Sequence, residues 1–196
     1  MKTQLFVVST LLLLAACNSR EEHSTSSGVT EGAQTISSEE MIKRGAYLVT
    51  VGSCHDCHSP KVMTAMGPEP DTSRLLSGHP GDEAIPPIPN AEGWIMFNMG
   101  LTSTVGPWGV SYAANLTPDD TGIGNWSYEQ FETAIRKGKS KGLETNRDLL
   151  PPMPWQMFRN YSDADLRSIF AYLKSIKPID NLVPQPIPPN KLEAMR

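Results

Sequence analysis

The chain has 196 residues and a formal net charge of −4, with 39% hydrophobic and 19% charged residues. That length suits one ordinary domain with appendages, and the 15 Lys and Arg against 16 Asp and Glu across residues 41–196 give no basic field for nucleic acid. With only 3 cysteines against 17 prolines and 15 glycines, the chain is rich in loops and has no disulfide framework.

At the N-terminus, Lys2 precedes an apolar run, Leu5 to Val8 and Leu11 to Leu14, followed by Ala15, Ala16 and Cys17. A positive start, a short apolar core and small residues before a break form a secretory signal. The run is shorter than the ~20 apolar residues of a spanning helix. Leu14-Ala15-Ala16-Cys17 resembles the bacterial lipoprotein processing box. The resemblance implies that 1–16 is removed and that Cys17 carries lipid. The protein would then be anchored in the bacterial cell envelope with its folded part in the periplasm, on the outer or the inner membrane. The alternative is an ordinary signal cleaved nearby, leaving a free thiol. Residues 17–37 are polar and rich in Ser, Thr, Glu and Gly, the composition of a flexible tether.

Three helices are expected next. Ser37-Ser38-Glu39-Glu40 opens the first as a capping box, and Met41, Tyr47, Leu48 and Val51 are available to bury. Gly45 lies within it, either as a tolerated weak spot or as the small residue that lets a second helix approach. The second starts at Ser127 with Gln130 three residues on, and Gly138 stops it. The third starts at Ser162 and runs to Pro178, with Leu166, Ile169, Phe170, Leu173 and Ile176 on one stripe. Residues 60–112 hold 8 Pro and 7 Gly and read as a long loop insertion without a convincing strand. Residues 179–196 read as a Pro-rich extension running over the surface. Three helices and so much loop leave the core under-supplied, a shortage that a large buried prosthetic group would make good.

Gly52-Ser53-Cys54-His55-Asp56-Cys57-His58 concentrates the chemistry. Structural zinc needs four ligands, usually as two pairs, and no second cysteine pair exists. A redox dithiol of the thioredoxin type opens a helix after a strand, whereas here a helix comes first. The third reading, Cys-x-x-Cys-His, is the attachment signature of c-type haem. Cysteines three apart on a helical turn reach two vinyl groups of one porphyrin, and the next residue turns its imidazole to the iron. Cys54 and Cys57 are then the covalent anchors and His58 the proximal ligand, with His55 a bystander. Covalent attachment outside the cytoplasm agrees with export.

In RGAYLVTVGSCHDCH, NLTPDDTGIGNWSYEQFETAIRKGK and LLPPMPW with the helix after it, residues 38–178 resemble the class I (mitochondrial-type) single-haem c-type cytochromes. The resemblance implies an all-α cytochrome c fold in which the first and last helices cross at a small residue, here Gly45 against the Ala171–Leu173 face. It also implies a methionine as sixth iron ligand, from a loop before the last helix. Met153, between prolines that limit its loop's motion, matches that position; Met157 and His79 are its rivals, and Met63, Met66, Met96 and Met99 read as packing residues. Trp126 resembles the aromatic beside the haem that donates to a propionate, its alternative role being helix-entry packing. The turn at Pro60 is expected to orient the proximal imidazole. Tyr112, Asn115 and Leu116 are weaker candidates for the pocket wall.

The function so implied is single-electron transfer through one haem c, His/Met-ligated, without catalysis and without a small-molecule substrate. Partners are redox proteins: a dehydrogenase or bc-type complex and an oxidase. The alternatives are a cytochrome subunit fixed in a dehydrogenase complex, or a haem sensor or peroxidase-like site with a labile sixth ligand. Arg136, Lys137, Lys139 and Lys141 form either a docking patch for an acidic partner or a solvated helix end.

Overall fold

A computed structural model describes residues 36–88 and 93–192. The signal-like segment, Cys17 and most of the tether lie outside them. Helix α1 (Ser38–Val51) starts on the expected capping box: the Ser37 hydroxyl accepts the Glu40 amide, and the Glu40 carboxylate accepts the Ser37 amide at 2.9 Å. Its inward face is Gly45, Leu48 and Val49, which follow the i, i+3, i+4 spacing. Tyr47 and Val51 were expected to be buried but are 57% and 56% exposed, because they lie about 200° and 240° around the helix from Gly45.

Helix α2 (Cys54–His58) follows at once. Helix α3 (Tyr128–Lys137) is capped by Ser127 with Gln130, and Gly138 ends it at φ 65°, a left-handed position that suits glycine. Helix α4 (Trp155–Phe158) is a single turn. Helix α5 (Asp163–Ser175) is capped by Ser162 and buries Leu166, Ser168, Ile169 and Leu173.

Helices α1 and α5 cross where Gly45 meets Ser168 and Tyr172. A Cβ at Gly45 would lie 2.0 Å from the Ser168 carbonyl oxygen and 2.7 Å from Tyr172 Cβ. The close approach is the one foreseen: Tyr172, from the Ala171–Leu173 face, makes the contact together with Ser168 one turn earlier. Arg44 and Asp165 pair at 2.9 Å at its edge. Leu48, Val49, Leu76, Ile123, Phe131, Leu166, Ile169 and Leu173 form one core, each fully buried aliphatic chain contributing about 1.5–3 kcal/mol.

The expectation of an all-α chain is corrected by the insertion. Strands β1 (Lys61–Thr64) and β2 (Gly67–Pro70) form an antiparallel hairpin. Strands β3 (Met96–Phe97), β4 (Ser103–Gly106) and β5 (Gly109–Tyr112) form a second antiparallel sheet in that order. Each strand has four residues or fewer, too short to show a period of two. Most of β4 and β5 is buried on both faces through Ser, Thr, Gly and Val, so no apolar–polar alternation is written into them.

The segment after α5 is stitched to this insertion. Val110 and Ile187 exchange backbone bonds of 2.8 and 3.0 Å. The Asn181 side chain donates to the Ser77 and His79 carbonyls at 2.7 and 2.8 Å and accepts the Gly81 amide at 2.8 Å.

Candidate haem site

The chain leaves α1 through Gly52 and turns at Ser53, whose left-handed φ of 57° redirects it into α2. A Cβ at Gly52 would approach the Tyr161 hydroxyl to 2.8 Å, so the segment before α5 reaches the start of the Cys-x-x-Cys-His turn. The end of that turn is held by Lys61. Its ammonium donates to the carbonyls of His55, Asp56 and Ser59 at 3.1, 2.8 and 2.5 Å, placing a cation at the carbonyl end of the helix. Nothing in the motif itself predicted Lys61 in this role.

His58 is fixed by one contact: Nδ1 lies 2.7 Å from the Ala114 carbonyl. A carbonyl only accepts, so Nδ1 carries the proton and the Nε2 lone pair is left for a metal. Burial pushes the His58 pKa down, against the opposing pull of the Ala114 bond, and the ring stays neutral. The sequence pointed to Pro60 for this task. The Pro60 carbonyl instead accepts the Asp71 amide at 2.8 Å, and Ala114, 56 residues beyond His58, takes its place through a fold contact that no local spacing reveals.

His55 is turned to the Ser59 hydroxyl at 3.0 Å. Cys54 and Cys57 are unbonded to each other and half-buried. Burial pushes the Cys54 thiol up to about 11 and the Cys57 thiol in the same direction. Redox dithiols need the reverse, a thiolate made accessible at neutral pH. Among the described residues no three His, Cys, Asp or Glu side chains converge on one point as a metal cage. Two protonated thiols on one helical turn and an imidazole with Nε2 free fit a covalently held haem.

Met153 sits half-buried in a loop braced at both ends. Before it, the Leu149 amide donates to the Gly138 carbonyl at 2.6 Å and the Ser111 hydroxyl donates to the Pro151 carbonyl at 2.6 Å. The Pro151–Pro152 bond is cis. After it, the Trp155 ring lies on Gly138, where a Cβ would come within 2.4 Å of the indole. Arg136 donates to the carbonyls of Arg159 and Tyr161 at 2.7 and 3.1 Å and to Asp163 at 2.5 Å.

Of the rivals, Met157 is largely exposed. His79 is buried, with Nδ1 on the Thr102 hydroxyl at 2.9 Å and Nε2 unpartnered. The Gly78 amide bonds the His58 carbonyl and the His79 amide bonds the Ala113 carbonyl, both within 2.9 Å. His79 is therefore tied to the same segment that holds His58. Met63, Met66 and Met99 do not pack as expected: they are exposed at hairpin and loop positions, Met66 at 90%.

Trp126 is half-buried against the core, and among the described residues no protein group accepts its indole N–H. Asn115 is turned to Thr117, Thr121 and Ile179, Leu116 packs on the core, and the Tyr112 ring lies 4.8 Å from His79. Three of the four basic residues are ion-paired, Arg136 with Glu132 and Asp163, Lys137 with Glu144 and Lys139 with Asp148, while Lys141 is exposed and has no ion pair among the described residues. The pairing leaves Lys141 as the cluster's unpaired cation.

No family model matches the chain. A component of nicotinate dehydrogenase from Pseudomonas putida is 33% identical over 148 residues, which cover 75% of this chain and 10% of that protein. The gluconate 2-dehydrogenase cytochrome c subunit of Pantoea cypripedii is 30% identical over 162 residues, 79% of this chain and 29% of that one. The fructose dehydrogenase cytochrome subunit of Gluconobacter japonicus is 29% identical over 176 residues, 88% and 28% respectively. The chain thus spans less than a third of each of these relatives. The likeness to cytochrome subunits of dehydrogenases supports a c-type cytochrome.

Proposed function

We propose that the chain is an electron-transfer subunit with one haem c, working with a dehydrogenase. In this reading Cys54 and Cys57 are the thioether anchors, and His58 and Met153 are the two axial ligands. The observation that carries it is the orientation of His58, whose Nδ1 is committed to Ala114 and whose Nε2 is free, directly beside two protonated thiols. Bound haem supplies a one-electron iron couple.

The chain's own residues set the terms of that couple. Ala114 fixes the tautomer and plane of His58. The prolines around Met153 hold a thioether in place, a ligand that raises the potential relative to a second histidine. Trp126 offers a free indole N–H to a propionate. With His58 and Met153 both holding the iron, bound haem would have no coordination site left for a substrate. The similarity to cytochrome subunits favours a fixed dehydrogenase partner over a free shuttle between a bc-type complex and an oxidase. The class I architecture and the lipid anchor at Cys17, with the domain in the periplasm, are part of the same reading.

A redox titration followed by absorption spectra tests the ligand set. The expected result is one low-spin haem with a sulfur-to-iron band that Met153→Ala abolishes. Persistence of that band in Met153→Ala, or fast carbon monoxide binding to the reduced protein at neutral pH, overturns it. Purification from membranes tests the partner: a dehydrogenase component should remain bound, and a chain that elutes alone and is reduced equally well by a bc-type complex favours the shuttle. Labelled fatty acid should enter the wild-type chain and not Cys17→Ala.

A further inference from the structure

The loop that carries Met153 is unusual in what it lacks. Pro151, Pro152 and Pro154 have no amide hydrogen, so the loop can be tied to the rest of the fold there only through its carbonyls. The Pro154 carbonyl is used locally, by the amides of Met157 and Phe158 at 2.9 and 3.2 Å. Among the described residues, one hydrogen bond reaches residues 150–153 from outside: the Ser111 hydroxyl on the Pro151 carbonyl, at 2.6 Å.

Its direction is settled by valence. The Trp108 indole N–H lies 3.2 Å from Ser111 Oγ and can only donate, and the Pro151 carbonyl can only accept. Ser111 therefore accepts from Trp108 and donates its single hydrogen to a carbonyl, and Pro151 at 2.6 Å takes it in preference to Thr104 at 3.5 Å. Ser111 is buried and held in register on β5 opposite Thr104. Trp108 closes the β4–β5 hairpin, its ring against Gly106, where a Cβ would be 2.5 Å away. The relay runs from the insertion's hairpin, through one hydroxyl, to a carbonyl two residues before the Met153 sulfur.

We propose that Ser111 is a positioning residue for Met153, so that the insertion sets how firmly the thioether is presented to the iron. The proposal rests on the reading of Met153 as the second axial ligand. A hydroxyl lost at this point frees the loop to move away, and the sulfur spends more time off the metal.

The test uses the full haem-loaded protein in its ferric form, with imidazole as the competing ligand. Ser111→Ala should bind imidazole about fivefold more tightly, the population change carried by one hydrogen bond of ordinary net strength. Its sulfur-to-iron band should weaken in step. Ser111→Thr keeps the hydroxyl and should stay within about twofold of the wild type. Wild-type imidazole affinity in Ser111→Ala, or an equal shift in Ser111→Thr, overturns the proposal and reduces Ser111 to packing. Met153→Ala separates the two levels. If it leaves imidazole binding and the band unchanged, the ligand reading falls and this proposal with it; if it shifts both while Ser111→Ala shifts neither, only this proposal falls.

Discussion

The helical scaffold and the insertion are held by different forces. Helices α1, α3 and α5 bury Leu48, Val49, Phe131, Leu166, Ile169 and Leu173 against one another, and the α1–α5 crossing depends on the missing side chain of Gly45. The insertion buries few large apolar groups and exposes Met63, Met66, Trp94 and Met99. Its order comes from hydrogen bonds: Asn181 bridging Ser77, His79 and Gly81, Thr102 on His79, and Asn98 on the Ser103 amide. The apolar scaffold carries the Cys-x-x-Cys-His turn, while the polar insertion braces the Met153 loop through Ser111 and the segment just after it orients His58 through Ala114. Rigidity of the anchor and fine placement of the proposed ligands are thus assigned to separate parts of the molecule.

That division breaks most visibly at Gly45. Gly45→Ala forces a Cβ against the Ser168 backbone and should cost about 3 kcal/mol, read as a large fall in Tm with loss of helical signal. An undisturbed Tm would mean that the helices do not depend on their close crossing. Asn181→Ala leaves three backbone groups without their partner and should cost about 2 kcal/mol. The loss should appear in amide hydrogen exchange as faster opening of residues 77–83 and 109–112, with α1 and α5 still protected. Equal loss of protection in the helices would erase the distinction between the regions. The smallest effect concerns Asp71, whose carboxyl is held down to about 2 by the Ser73 hydroxyl, Arg74 and the Ser73 amide. A depressed folded value stabilises above the unfolded range near 4 and is lost as pH falls towards 2. Stability of the insertion should therefore fall across that window in the wild type and stay flatter in Asp71→Asn.

The scaffold was legible because its signals are local. Ser37 with Glu40, Ser127 with Gln130, Gly138 and the Leu166–Leu173 stripe each declare a helix boundary or face within a few residues, and all are found. The Cys54–His58 turn stood out for the same reason, as a five-residue spacing, and is found as helix α2. The strands were not, since Gly67–Pro70 and Ser103–Gly106 carry residues that avoid or merely tolerate strands and are ordered by what they pair with. Tyr47 and Val51 were misplaced because apolar character says nothing about helix phase. Ala114, Lys61 and Ser111 were invisible in principle: two of them act through contacts 56 and 40 residues away in sequence, and Ala114 uses only its backbone, which every residue shares.

Consider finally the bridge between Val110 and Ile187. Strand β5 is the outer strand of its sheet, and an outer strand offers unpaired amides and carbonyls to any extended neighbour. Ile187 occupies those groups at Val110, and a Cβ at Gly109 would fall 1.9 Å from the Ile187 carbonyl, so the segment lies too close for a second chain to slip between. The Pro-rich stretch from Pro178 to Pro189 is thereby a guard against self-association. Shortening the protein to the end of α5 would uncover an adhesive edge on β5, and the cost would appear first as aggregation.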